Sequence, residues 1–168
     1  MTTAFITHRD CWKHDMGAHH PECPERLDAI NDRMIAAGLD IHLEYHDAPL
    51  AQMEQLLRVH SRRHIETIEE SAPQHGIVHL DPDTAMSPGT WQAALRAAGS
   101  GVLATDLLMQ GKAQTAFCSV RPPGHHAERA RPMGFCFFNN IAVAAMHGIE
   151  AWGLQRVAIV DFDVHHGN

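Results

Sequence analysis

The sequence predicts an α/β domain built on a largely parallel sheet. Two observations carry that prediction: short apolar runs alternate with stretches of helical periodicity, and the polar, His-rich segments follow the apolar runs, where a parallel sheet presents the C-terminal edge of its strands. A chain of 168 residues, 45% of them hydrophobic, is long enough to bury one core. No repeat, low-complexity tract or linker divides it, so 1–168 reads as a single domain.

Ala4–Thr7 is an apolar run suited to a buried strand, and the polar, His-rich stretch His8–Cys23 after it reads as a loop. Pro24 and Glu25 open a helix with Leu27, Ile30 and Met34 on one face and Gly38 as its C-cap. Shorter helices are expected over Leu50–Leu57 and Ser61–Glu70. The stretch Ser87-Pro88-Gly89-Thr90 caps the longest helix, in which Trp91, Leu95, Ala98 and Val102 recur at helical spacing through to Gly111. Ala113–Val120 reads as a strand, Arg121–Phe138 as a long loop, Asn140–Trp152 as a helix and Arg156–Asp161 as a second buried strand.

Composition excludes some classes of function. A net charge of -7, with 13 Lys and Arg spread along the chain, is the wrong balance for a phosphate-binding surface, so nucleic acid is not an expected partner. No signal peptide or run of roughly 20 apolar residues is visible, and a cytoplasmic protein without membrane contact is expected. Cys11, Cys23, Cys118 and Cys136 form no CxxC pair and are expected as reduced thiols. Fifteen histidines, several paired, raise the prior for a metalloenzyme.

The chemistry concentrates at two strand ends. In the run Val157 to Asn168, side chains of an extended chain alternate, so Asp161, Asp163 and His165 project to one side. Asp163 and His165 make a mixed O/N ligand pair suited to zinc, which in catalytic sites takes about three protein ligands and leaves a position for water. Asp161, deeper in the strand, needs a cation or a hydrogen-bond donor. Alone, such a pattern reads first as strand-end residues bonded to loop backbone. A second constellation changes the reading: Arg121-Pro122-Pro123-Gly124-His125-His126 follows the other strand, and its stiff turn delivers two histidines to the same sheet edge. Adjacent residues point differently, so the two must have different partners. One of them is suited to take a proton from a water at the metal and return it to a leaving amine, which is amide hydrolysis. Within Gly134-Phe135-Cys136-Phe137-Phe138, Phe137 and Phe138 read as core anchors and Phe135 as a channel wall.

The PPGHH turn, the GFCFFNN stretch, the DFDVHHGN strand end and the segment His20-Pro21-Glu22-Cys23-Pro24-Glu25-Arg26 together resemble the histone deacetylase family and its bacterial amidohydrolase relatives. That resemblance implies the arginase/deacetylase type of α/β fold, with a parallel sheet flanked by helices. It implies a zinc held by Asp163 and His165, and His126 as general base and acid. His125, paired with Asp161, would lend electrostatic support or assist protonation of the leaving group. Asp161 would also serve a structural potassium site, with carbonyls of Asp163 and His165. Gly134 would accept the substrate amide, Phe135 would wall the acyl-lysine channel, and Arg26 would line an internal acetate-exit cavity. Asn168 stands where class I members carry Asp and matches the class II branch, so the partner of His126 is an amide.

By the same resemblance the sequence is the N-terminal part of a catalytic domain. A third zinc ligand, a transition-state Tyr or His and a second channel aromatic are expected beyond Asn168. The implied function is zinc-dependent hydrolysis of N-acetyl amides, with an acetylated lysine peptide or a small acetylated amine as substrate. The alternatives are a fragment inactive by itself that needs a C-terminal complement or homo-oligomer, and a binuclear hydrolase of the arginase kind.

Overall fold

The computed structural model describes residues 2–168. Strand β1 (Thr3–Thr7) is central: β2 (Leu43–Asp47) and β5 (Thr115–Cys118) pair parallel to it on opposite edges, aligning Phe5 with Tyr45 and Phe117. Because side chains alternate along a strand, Ala4 and Ile6 turn one way, into a cluster with Leu103, Leu107 and Ala113. Phe5 turns the other way, stacking 5.6 Å from Phe117 and 5.0 Å from Tyr45. The expected α/β architecture with a parallel sheet is therefore present. A two-residue antiparallel pair, β3 (Val78–His79) with β4 (Ala85–Met86), lies apart from that sheet.

The helices follow their local signals. Helix α1 (Glu25–Ala36) ends at Gly38, which takes φ +64° in the left-handed region, while Leu39 N–H returns to Met34 O. In α2 (Met53–Leu57) the Gln55 side chain reaches back to Gln52 N–H. The Ser61 hydroxyl caps α3 (Arg62–Glu70) by accepting from His64 N–H. Helix α4 (Thr90–Met109) and helix α5 (Asn140–Trp152) match the two longer expectations, and the Asn139 side chain caps α5 at Ala142 N–H. Leu56, Ile65, Ile68, Met86, Ala98, Val102, Phe138 and Val143 bring α2 to α5 around a second core.

Three readings need correction. The loop His8–Cys23 contains a 3-10 turn, Arg9–Lys13. Strand β2 went unseen because Glu44, His46 and Asp47 dilute its apolar signal, and only pairing with β1 makes it a strand. The run Arg156–Asp161, expected as a buried strand, has no ladder partner among the described residues. It pairs with neither of the sheet's outer edges, at β2 and β5, and Val157 and Ile159 instead border an open apolar groove with Leu108, Ile141 and Ala144. Val160 is 84% exposed.

Helix α4 sits close to the chain beneath it because its buried face is small: Ala93, Ala94, Ala97, Ala98 and Gly99. A β-carbon built on Gly99 would lie 2.1 Å from Pro49 O, beside the bond from Ala51 N–H to Leu95 O. Gly99→Ala is therefore expected to overpack this contact and destabilise the fold by about 1–3 kcal/mol. Thermal denaturation of the pair checks it, with a Tm drop of about 2–4 °C per kcal/mol anticipated.

Candidate active site

The loop from Arg121 to Phe138 is fixed from beneath by buried polar groups. Arg121 is 2% exposed and Glu22 1%. The guanidinium donates from Nε to Glu22 Oε1 at 2.6 Å and from Nη1 to the carbonyls of Cys11 and His14 at 2.9 Å. Burial opposes ionisation of Glu22, but His14 and Arg121 outweigh it and hold the carboxyl below its usual range. His14 in turn bonds Thr90 at the start of α4 through Nδ1, at 2.8 Å.

Two stacked histidines hold the far end of the loop. His60 Nδ1 donates to Glu128 O and its Nε2 accepts from Asn139 N–H, both at 2.9 Å, so its partners select the neutral ring. His64 Nε2 donates to Phe137 O at 2.8 Å, with the two rings 4.8 Å apart. Phe137 and Phe138 are fully buried, as expected of core anchors.

Between these anchors, Met133 and Cys136 pair as a tight hairpin whose central residues, Gly134 and Phe135, have φ +56° and +69°. Positive φ at both positions is what such a two-residue turn demands, and at Phe135 it carries strain of order ~1 kcal/mol. A β-carbon on Gly134 would lie 2.4 Å from His126 Cδ2, so only glycine lets this backbone lie against the imidazole. Burial pushes the Cys136 thiol up to about 12, and as a neutral S–H it donates to Gly134 O at 3.2 Å. From outside the loop, Asp83 accepts from Gly134 N–H at 3.3 Å and Thr84 from Phe135 N–H at 3.1 Å.

The run Asp161–Asn168 crosses this loop. Asn168 N–H donates to His125 O at 2.9 Å. His125 Nδ1 pairs with Asp161 Oδ2 at 2.9 Å and His126 Nδ1 with Asn168 Oδ1 at 3.2 Å, so the adjacent histidines do have separate partners. Asp161 is exposed rather than buried, because its run is not a sheet strand, and its donors are His125 and the Asp163 N–H. Those two bonds hold its carboxyl below the ordinary carboxylate range. The N–H and ring of His165 do the same for Asp163.

Asp163 Oδ1 and His165 Nδ1 face each other at 3.0 Å. That is within a few tenths of an ångström of the about 3.3 Å edge of a tetrahedron with bonds of about 2.0–2.1 Å, so the pair fits two adjacent positions around zinc. Among the described residues no group of three or more His, Cys, Asp or Glu side chains surrounds one point. The fit is thus that of a partial ligand set.

These groups share an open cleft of about 490 Å³, lined by His125, His126, Gly134, Phe135, Asp163 and His165. Arg26 also borders it, with its side chain 57% exposed and 3.6 Å from Glu22. Asp83, Arg121 and Glu128 escaped the sequence reading as site residues. Asp83 had only the turn-rich Asp81-Pro82-Asp83-Thr84 as a signal, and nothing local says that it meets Gly134.

Residues 20–168 match the histone deacetylase domain model. The chain belongs to the histone deacetylase family. It is 36% identical to a histone deacetylase-like amidohydrolase of Pseudomonas aeruginosa, with 99% of this chain and 48% of that protein covered. It is 37% identical to the human polyamine deacetylase HDAC10, covering 99% of this chain and 26% of that one. The crystal structure of the HDA15 HD domain superposes with a TM-score of 0.92 at 34% identity, covering 99% of this chain and 48% of that chain. The chain thus spans half or less of the length of these relatives. The fold is that of about half of the HDA15 HD domain, and among the described residues no helix is long and apolar enough to cross a membrane.

The buried histidines are expected to make this fold acid-sensitive. Burial, reinforced by the neighbouring His64, pushes His60 down to about 4, and burial lowers His64 as well. A histidine whose folded pKa is depressed binds fewer protons folded than unfolded between that value and about 6.5. Its stabilisation is complete above about pH 6.5 and is lost as pH falls toward 4. For His60 this amounts to roughly 3 kcal/mol. Urea midpoints measured from pH 7.5 to 4 should fall through this window, and His60→Asn should lower stability at pH 7.5 while flattening the acid limb.

Proposed function

We propose that this chain supplies the zinc-binding and proton-transfer half of a deacetylase that hydrolyses N-acetyl amides and releases acetate. The observation that carries the reading is the convergence of two histidines, each engaged at Nδ1, with the Asp163–His165 pair in one cleft. Membership of a family of deacetylases and amidohydrolases supports it.

Asp163 and His165 would hold zinc, which when bound supplies Lewis acidity toward a carbonyl and a water. With Nδ1 bonded to Asn168, His126 is left with Nε2 to accept a proton and to return it to the leaving amine. His125, with Asp161 behind it, offers a second imidazole whose Nδ1–H the carboxylate accepts, as electrostatic support or to assist protonation of the leaving group. The carbonyl of Gly134 accepts the substrate N–H, with one of its lone pairs already facing the Cys136 thiol. Phe135 walls the acyl chain, and Arg26 lies at the border of the cleft where acetate would depart. A structural potassium at Asp161 and the carbonyls of Asp163 and His165 completes the reading. The substrate is an acetylated lysine peptide or a small acetylated amine, in a cytoplasmic setting.

A second reading, in which the chain works only with a C-terminal complement or in a homo-oligomer, is favoured by exposure at the metal pair. The side chains of Asp163 and His165 are 49% and 73% exposed. Elemental mass spectrometry on the 168-residue chain, with acetyl-lysine turnover on the same samples, separates the two. Near one zinc per chain with hydroxamate-sensitive turnover supports the first, and zinc and turnover gained only on adding the remaining deacetylase segments supports the second. In either case Asp163→Ala should reduce bound zinc at least tenfold. Neither zinc nor turnover under both conditions overturns the deacetylase assignment.

A further inference from the structure

We propose that Glu128 is a positioning residue that sets the tautomer of His126 through the side chain of Asn168, an inference resting on the reading of His126 as the proton acceptor. An asparagine amide is nearly symmetric in shape, and either its oxygen or its nitrogen can face a neighbour. An amide opposite His126 therefore does not by itself decide which ring nitrogen carries the proton. A carboxylate decides it unaided, because it only accepts, and His125 has that arrangement with Asp161 at 2.9 Å.

Around Asn168 the decision is made by the groups on its far side. Its Nδ2 donates to Glu128 Oε1 at 3.0 Å and also faces Met133 Sδ at 3.1 Å. An ionised carboxylate and a thioether are both acceptors, so a flipped amide would set its oxygen against their lone pairs. The orientation that satisfies Glu128 turns Oδ1 toward His126 Nδ1 at 3.2 Å. His126 then carries its proton on Nδ1 and keeps Nε2 free to accept one.

Glu128 is held for this task although its side chain is solvent-exposed. Its N–H donates to Arg131 O and its carbonyl accepts from His60 Nδ1, both at 2.9 Å. The other partner is fixed by the bond from Asn168 N–H to His125 O at 2.9 Å. The amide thus bridges two anchored stretches of backbone. Where His125 has a single acidic partner, His126 has a relay of amide and carboxylate.

The test is the imidazole tautomer of His126, read by 15N NMR on the labelled 168-residue chain at a pH where the rings are neutral. The parent protein should show protonated Nδ1 and bare Nε2. In Glu128→Lys the introduced group can only donate, so the amide should flip and the tautomer invert. Adding Asn168→Asp supplies a carboxylate that accepts from both sides, and the double variant E128K/N168D should restore the parent tautomer. Unchanged His60 and His64 resonances certify the fold. Should E128K not fold, Glu128→Ala leaves only the weak thioether acceptor of Met133, so the bias weakens and the second tautomer should appear beside the first. A parent tautomer retained in E128K, or in E128A where that variant substitutes, overturns the proposal, as does an inverted tautomer that the double variant fails to restore. With the complete site reconstituted, turnover should fall at least tenfold in E128K and recover in E128K/N168D. If the deacetylase reading itself fails, no variant turns over while the tautomers still invert and recover.

Discussion

The buried pair between Arg121 and Glu22 is the constraint on which the site depends. It joins the exit of β5 to the N-terminal loop and gathers three points of that loop, Cys11, His14 and Glu22, onto one guanidinium. A charge pair this deep is tolerated only because every partner is present. Removing either member would strand the other ion, at a cost of about 3–5 kcal/mol. Arg121 immediately precedes the Pro-Pro-Gly turn, so its anchorage sets where His125 and His126 emerge. Glu22 borders the same cleft, and one ion pair therefore fixes both walls.

Around that anchor the site has a rigid side and an open side. The loop Arg121–Phe138 is pinned at its ends by Arg121 and by the His60–His64 stack, and in its middle by the tight turn at Gly134 and Phe135. The facing run Asp161–Asn168 lies on it mainly through side-chain bonds from the two histidines and one backbone bond to His125. Asp163 and His165 are paired with each other yet exposed, and the apolar residues between them and α5 line an open groove. Chemistry that needs a water-excluded site would require this side to be covered.

Two adjacent histidines with unlike partners show how environment separates identical side chains. Asp161 gives His125 a charged acceptor, whereas Asn168 gives His126 a neutral one. The second arrangement leaves the position of the ring proton to the neighbours of the amide. Glu128 and Met133 are those neighbours, both supplied by the same loop that carries the histidines.

Much of this was legible in the primary sequence, because local physics decides it. Proline stiffness, a C-cap glycine and helical periodicity placed α1 to α5, and the run from Ala4 to Thr7 announced β1. The histidine turn and the Asp/His run stood out by residue type and spacing, and the fold brings them to one cleft. What the tertiary structure alone decided is whatever depends on partners far along the chain. Residues 43–47 became a strand by pairing with β1, while the more apolar 156–161 pairs with neither outer edge of the sheet and stays without a ladder partner among the described residues. Glu22 with Arg121, Asp83 with Gly134, and Glu128 with Asn168 meet across 99, 51 and 40 positions. Hydrogen bonds over such separations follow from how the backbone packs, and no local pattern of residues encodes them.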